Sequence, residues 1–123
     1  MTTSELEKAL QGDTDWRSFC DQYQKEKERL FLRKDGAATS GDLGLSFDSG
    51  KVVVTARQVL IICETALEKL IRPSDVQFLA TLIALSGFDF DNDNTESAVH
   101  LLSTPGSVDL EQIHDAVELL NAR

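Results

Sequence analysis

Pro73 stands between two apolar stripes at helical spacing, and the stretch from Thr55 to Gly87 limits the possible folds of this chain more than any other. On its N-terminal side, Thr55 and Gln58 have the spacing of a capping box, in which hydroxyl and amide side chains satisfy the unpaired amides of a helix start. Val59, Leu60, Cys63, Leu67, Leu70 and Ile71 then continue as an apolar stripe to Arg72. Only Glu64, Glu68 and Lys69 are strongly polar in that stripe, so the helix is expected at the centre of the molecule. Pro73 cannot continue it but suits the first turn of the next helix, and Ser74 with Gln77 repeats the capping-box spacing. Val76, Leu79, Ala80, Leu82, Ile83 and Leu85 form the buried set of this helix, which runs to Ser86. Gly87 fits an end that requires a left-handed residue.

The remaining segments are also mostly helical. Ser4 to Leu10 reads as a short helix opened by Ser4 and Glu7, interrupted at Gly12. From Asp13 or Thr14 to Arg33, the residues Trp16, Phe19, Cys20, Tyr23, Leu30 and Phe31 lie at helical spacing opposite Gln24, Lys25, Glu26, Glu28 and Arg29. That pattern predicts one long amphipathic helix. Asp35 to Gly50 has the Gly, Ser and Asp content of a loop. Within it Leu43, Leu45 and Phe47 alternate, Asp48-Ser49-Gly50 makes a turn, and Lys51 to Val54 is β-branched, which allows a small β-hairpin. Phe88 to Asn94 is an acidic loop, Thr95 to Ser103 a short helix, Thr104-Pro105-Gly106 a stop, and Val108 to Leu120 a last helix with Leu110, Ile113, Val117 and Leu120 as its stripe. There is no internal repeat, and no linker is long enough to separate two cores. The fold expected for residues 1–123 is therefore a single mainly α domain, a bundle of about five or six helices.

Several function classes fall away on composition and spacing. The opening MTTSELEKAL lacks the cationic start and apolar stretch of an export signal, and no run approaches the roughly 18 to 20 apolar residues of a membrane span. A cytoplasmic protein is expected. Cys20 and Cys63 each lie in an apolar helical stripe and read as reduced core residues. Asp89-Phe90-Asp91-Asn92-Asp93-Asn94 begins like a calcium-binding loop, but Asn94 stands where that loop needs glycine and His100 where it needs a bidentate glutamate. It reads instead as a helix-capping acidic loop. His100 and His114 have no partners at metal-ligand spacing, and there is no phosphate loop or Gly-flanked nucleophile. The chain is read as a non-enzyme with no cofactor and no metal.

Charge is the main functional clue. Twelve Lys and Arg against twenty-one Asp and Glu give a net charge of −9, which argues against binding a phosphate backbone and so against nucleic acid as a partner. Residues 1–34 hold seven acids and seven bases, residues 35–85 hold six and four, and residues 86–123 hold eight acids against one base. The eight are Asp89, Asp91, Asp93, Glu96, Asp109, Glu111, Asp115 and Glu118. Acids gather at helix starts because the macrodipole favours them, which accounts for Asp93, Glu96, Asp109 and Glu111 without any partner. The same set projects a negative field able to steer a cationic protein. On that reading Asp89, Asp91, Asp93 and Glu96 are the contacting acids, Phe90 is the apolar anchor, and the acids from Asp109 to Glu118 are a second set.

The opening Leu6-Glu7-Lys8-Ala9-Leu10-Gln11-Gly12, followed by Asp15-Trp16, Phe19 and Tyr23, resembles small helical immunity proteins of the colicin D type. In size, acidity and helical character the whole chain is similar to immunity proteins of contact-dependent growth inhibition systems. The pattern covers about the first third of the chain. The resemblance implies a cytosolic inhibitor that neutralises one cognate toxin, often a nuclease, by blocking or covering its active site. It carries over no particular functional residue. The competing expectation is a small acidic helical adaptor or secretion chaperone, which would show an exposed apolar groove and dimerise.

Overall fold

The computed structural model describes residues 1–32, 43–103 and 108–121. The N-terminal part of the glycine-rich loop, the Thr104-Pro105-Gly106 stop and Arg123 lie outside the described residues. Seven helices and one pair of two-residue strands are present among the described residues. In chain order they are α1 (Thr3–Gln11), α2 (Trp16–Gln22), α3 (Gln24–Leu32), β1 (Val53–Val54), α4 (Ala56–Leu67), α5 (Pro73–Leu85), β2 (Asp89–Phe90), α6 (Asp93–Leu102) and α7 (Leu110–Asn121). The mainly helical expectation holds.

The helix count exceeds the expected five or six because the expected helix from Thr14 to Arg33 is two helices. Tyr23 leaves helical geometry at φ −107° and ψ 31°. Its amide turns back to the Cys20 carbonyl at 3.2 Å, while Lys27 N–H bonds to the Tyr23 carbonyl at 3.1 Å, so the chain resumes at once as α3. The ring of Tyr23 packs on Phe19, which packs edge-on against Trp16.

Helix starts were legible in type and shifted in position. Thr55 and Gln58 form the expected reciprocal cap of α4, at 3.3 and 3.0 Å. α1 begins earlier than expected, with Thr2 Oγ1 accepting Glu5 N–H at 3.1 Å, because the amide of Ser4 is taken by Asp48 Oδ1 at 2.8 Å. For α5, Pro73 occupies the first position, so the cap moves to Arg72 and its amide donates to Asp75 Oδ2 at 2.8 Å. Gln77, expected to share that cap with Ser74, is buried instead. Gly87 has the expected positive φ, 71°.

α4 is not the most enclosed helix. It stops at Leu67 rather than Arg72, since Lys69 takes a left-handed conformation and turns Leu70 out to 54% exposure while Ile71 is buried. Every residue of α5 from Asp75 to Ile83 is buried, with Phe78, Leu79 and Leu82 fully so. The expected Val76, Leu79, Ala80, Leu82 and Ile83 are buried, Leu85 is half-buried, and the added burial of Asp75, Gln77, Phe78 and Thr81 means the helix is surrounded. At the other end of the chain, Leu110 is 49% exposed and leaves Ile113, Ala116 and Leu120 as the buried face of α7.

Residues 43–54 do not form the hairpin that their alternation allows. Ser46 bridges in parallel to Thr2, and Val53 and Val54 pair in parallel with Asp89 and Phe90. The first half is held by Thr3, a buried side chain whose hydroxyl accepts the amides of Asp48 and Ser49 at 3.1 Å each. An isolated two-stranded ribbon is marginal in water, and here the first half is held by α1 while the second pairs with β2.

One apolar cluster gathers side chains from α1 through α7, including Leu6, Trp16, Val59, Phe78, Val99 and Ile113. Both cysteines are unpaired and buried in it, as expected. Burial pushes each thiol up to about 12, so neither supplies a thiolate at neutral pH. Among the described residues, no helix is long and apolar enough to cross a membrane.

Candidate functional site

The parallel strand pair fixes the chain where the acidic segment begins. Asp89 N–H donates to the Val52 carbonyl at 2.9 Å and Asp91 N–H to the Val54 carbonyl at 3.0 Å. In this register Asp89 lies opposite Val53 and shares its side of the sheet, and both are exposed. Phe90 lies opposite the fully buried Val54, and its ring is half-buried against the core.

The acids that follow have different fates. Asp91 is committed to the fold: one oxygen accepts Ala56 N–H at 3.1 Å and the other accepts the Thr95 hydroxyl at 2.6 Å. It thereby ties the start of α4 to the start of α6, while Asn92 caps α6 by accepting Thr95 N–H at 3.0 Å. Asn92 is the reason α6 begins at Asp93 rather than at the expected Thr95. Asp93 and Glu96 lie exposed in the first turn of α6, where the helix dipole favours negative charge. Glu96 Oε1 lies 3.9 Å from His100 Nε2, one turn along the same face.

These side chains are brought together around two adjoining depressions. Lys51, Val53, Phe88, Asp89, Phe90 and Glu96 line one, and Asp93, Glu96, Ser97 and His100 line the other, so that Glu96 belongs to both. Of the first set of candidate acids, Asp89, Asp93 and Glu96 therefore share one corner with Phe90, while Asp91, also exposed, lines neither depression and serves as a structural tie.

The second set is arranged differently. Asp109 is a cap of α7, accepting Gln112 N–H at 2.9 Å while its own amide donates to Gln112 Oε1 at 3.1 Å. Glu111, Asp115 and Glu118 are exposed, and their spacing places them on one face of α7. No hydrogen bond or ion pair among the described residues joins them to the corner at β2 and α6.

Three features were missed in the sequence. Lys51 is a base within the acidic corner, its ammonium 4.0 Å from Asp89 Oδ2 with both side chains well exposed. Nothing in the sequence signalled it, because the pairing depends on a parallel register between distant strands. The buried ion pair between Lys27 and Asp75 was also missed. Here a signal existed: Trp16, Cys20, Tyr23 and Lys27 follow at steps of four, three and four, so Lys27 continues the buried stripe. The third is a groove on α3 lined by Gln24, Lys27, Glu28 and Phe31, beside that pair.

Among the described residues, no three of His, Cys, Asp and Glu converge where a metal ion could be held. The corner is a surface of exposed carboxylates with an apolar floor, suited to contact with a cationic surface. Compared with known proteins, the chain matches no family model, no curated protein and no solved structure.

Proposed function

We propose that this chain is an inhibitor of the immunity type, which binds a basic toxin domain such as a nuclease in the cytoplasm and neutralises it without catalysis of its own. The observation that carries this reading is the corner where Asp89, Asp93 and Glu96 stand exposed around the half-buried Phe90. A protein that cleaves nucleic acid presents a cationic surface to phosphates, and clustered carboxylates compete for that surface. The exposed acids steer the encounter, while tight binding depends on a few desolvated anchors, for which Val53 and Phe90 are the candidates. The acidic face of α7 adds to the same field.

Affinity capture from the source organism identifies the partner, and stopped-flow association with it tests the site. Combining Asp89→Lys, Asp93→Lys and Glu96→Lys is expected to slow association by about tenfold or more at low salt, with the wild-type rate falling as salt rises. A partner without a basic surface, or a rate indifferent to both treatments, overturns the proposal.

A further inference from the structure

In the sheet, β1 is bonded along one side. Alternate residues of a parallel pair turn their backbone groups toward the partner strand. The carbonyls of Val52 and Val54 accept from Asp89 and Asp91, so the N–H and C=O of Val53 point away from β2, and no described residue bonds to them. Val53 itself is 47% exposed. A strand edge with free backbone groups and an exposed apolar side chain is a template for pairing with another chain.

The face beside this edge selects the charge of what pairs with it. Lys51, Val53 and Asp89 lie on the solvent side of the sheet, and Glu96 closes the same depression from α6. Two carboxylates against one ammonium leave this face negative. We infer that the open edge of β1 at Val53 accepts an extended, basic segment of the partner protein by strand addition, with an arginine or lysine laid across Val53 to Asp89 and Glu96. An added strand would lie about 5 Å from β1 and about 10 Å from β2. An arginine crossing Val53 spans that distance. The segment would also enlarge a two-stranded ribbon to three strands, the size at which sheets gain independent stability. This inference rests on the reading that the partner is basic, and it adds the mode of docking.

The test uses the full chain and a labelled synthetic peptide of about ten alternating valines and arginines, read by fluorescence anisotropy. Val53→Pro removes the outward N–H and no ladder bond, so circular dichroism should be unchanged. Methylating every second peptide amide, in each register in turn, removes the same bonds without altering the protein. Wild-type protein is expected to bind the peptide, and a valine–glutamate peptide to fail. Val53→Pro, or methylation in one of the two registers, should weaken binding by about fivefold or more. No binding of the basic peptide, equal binding by the acidic one, or full affinity with both methylated peptides overturns the inference. If Asp89→Lys weakens binding while methylation does not, the edge is excluded and the acidic-surface reading stands; if Asp89→Lys has no effect, the charge selection falls with that reading.

Discussion

Asp75 and Asp89 are both carboxylates paired with a lysine, and the two pairs do opposite work. Lys27 and Asp75 meet beneath α3 and α5, with side chains only 9% and 12% exposed. Lys51 and Asp89 meet at 4.0 Å in open solvent, 82% and 61% exposed. Water screens the second pair and stabilises each ion alone, so it contributes little to folding and either group is free to exchange partners. The first pair has no such freedom, because each ion depends on the other for the solvation it lost. The position of a charge, more than its presence, decides whether it serves the fold or the surface.

The sharpest way to break this contrast is to remove one charge from each pair. Asp75→Asn keeps an oxygen to accept the Arg72 amide but leaves Lys27 buried without a counter-ion, and it should destabilise the protein by about 3 kcal/mol in urea denaturation. Adding Lys27→Met should recover most of that loss. Asp89→Asn should change stability by less than about 0.5 kcal/mol. Equal losses at the two sites would show that the buried pair is not special.

A second comparison lies within the acidic segment, between carboxylates two positions apart. Asp91 gives both oxygens to the starts of α4 and α6, and Asp91→Ala should therefore cost about 1–2 kcal/mol. Asp93→Ala, at an exposed position in the first turn of α6, should cost a few tenths of a kcal/mol through the helix dipole. With a captured partner the order reverses, and Asp93 affects the association rate more than Asp91. An Asp91→Ala variant of unchanged stability would mean that its bonds do not hold the corner together.

This division explains how far the sequence could be read. Helical periodicity located the main body of the bundle, since the stripes of α4, α5 and α7 follow from local spacing, and Thr55–Gln58 and Gly87 are signals confined to a few residues. The acids of the corner were legible as a cluster, because composition alone places them between Asp89 and Glu96. Their separate roles were not. That Asp91 binds Ala56, that Lys51 faces Asp89 and that Val53 pairs with Asp89 are all contacts between segments more than thirty residues apart. Spacing within a segment carries no information about them. The break at Tyr23 is similar: the stripe runs through it unchanged, and only the bonds made by its amide and carbonyl reveal two helices.

The smallest effect expected is at the junction of α1 and α2, where the Tyr23 hydroxyl donates to Glu5 Oε2 at 2.5 Å. Burial, and then this hydrogen bond, push the Tyr23 phenol up to about 12, while the same bond holds the Glu5 carboxyl below its ordinary value. For Tyr23 the folded value lies above the unfolded one, near 10, so its contribution to stability is complete below that pH and disappears as the pH rises toward about 12. For Glu5 the folded value lies below the unfolded one, so its contribution is present at neutral pH and disappears as the pH falls through the acidic range. Tyr23 is the only tyrosine in the chain, so near-ultraviolet absorbance follows its ionisation directly. Glu5→Gln should move the folded-state midpoint back toward 10 without reaching it, because burial remains. A midpoint unmoved by the substitution would assign the whole shift to burial and remove Glu5 from the junction.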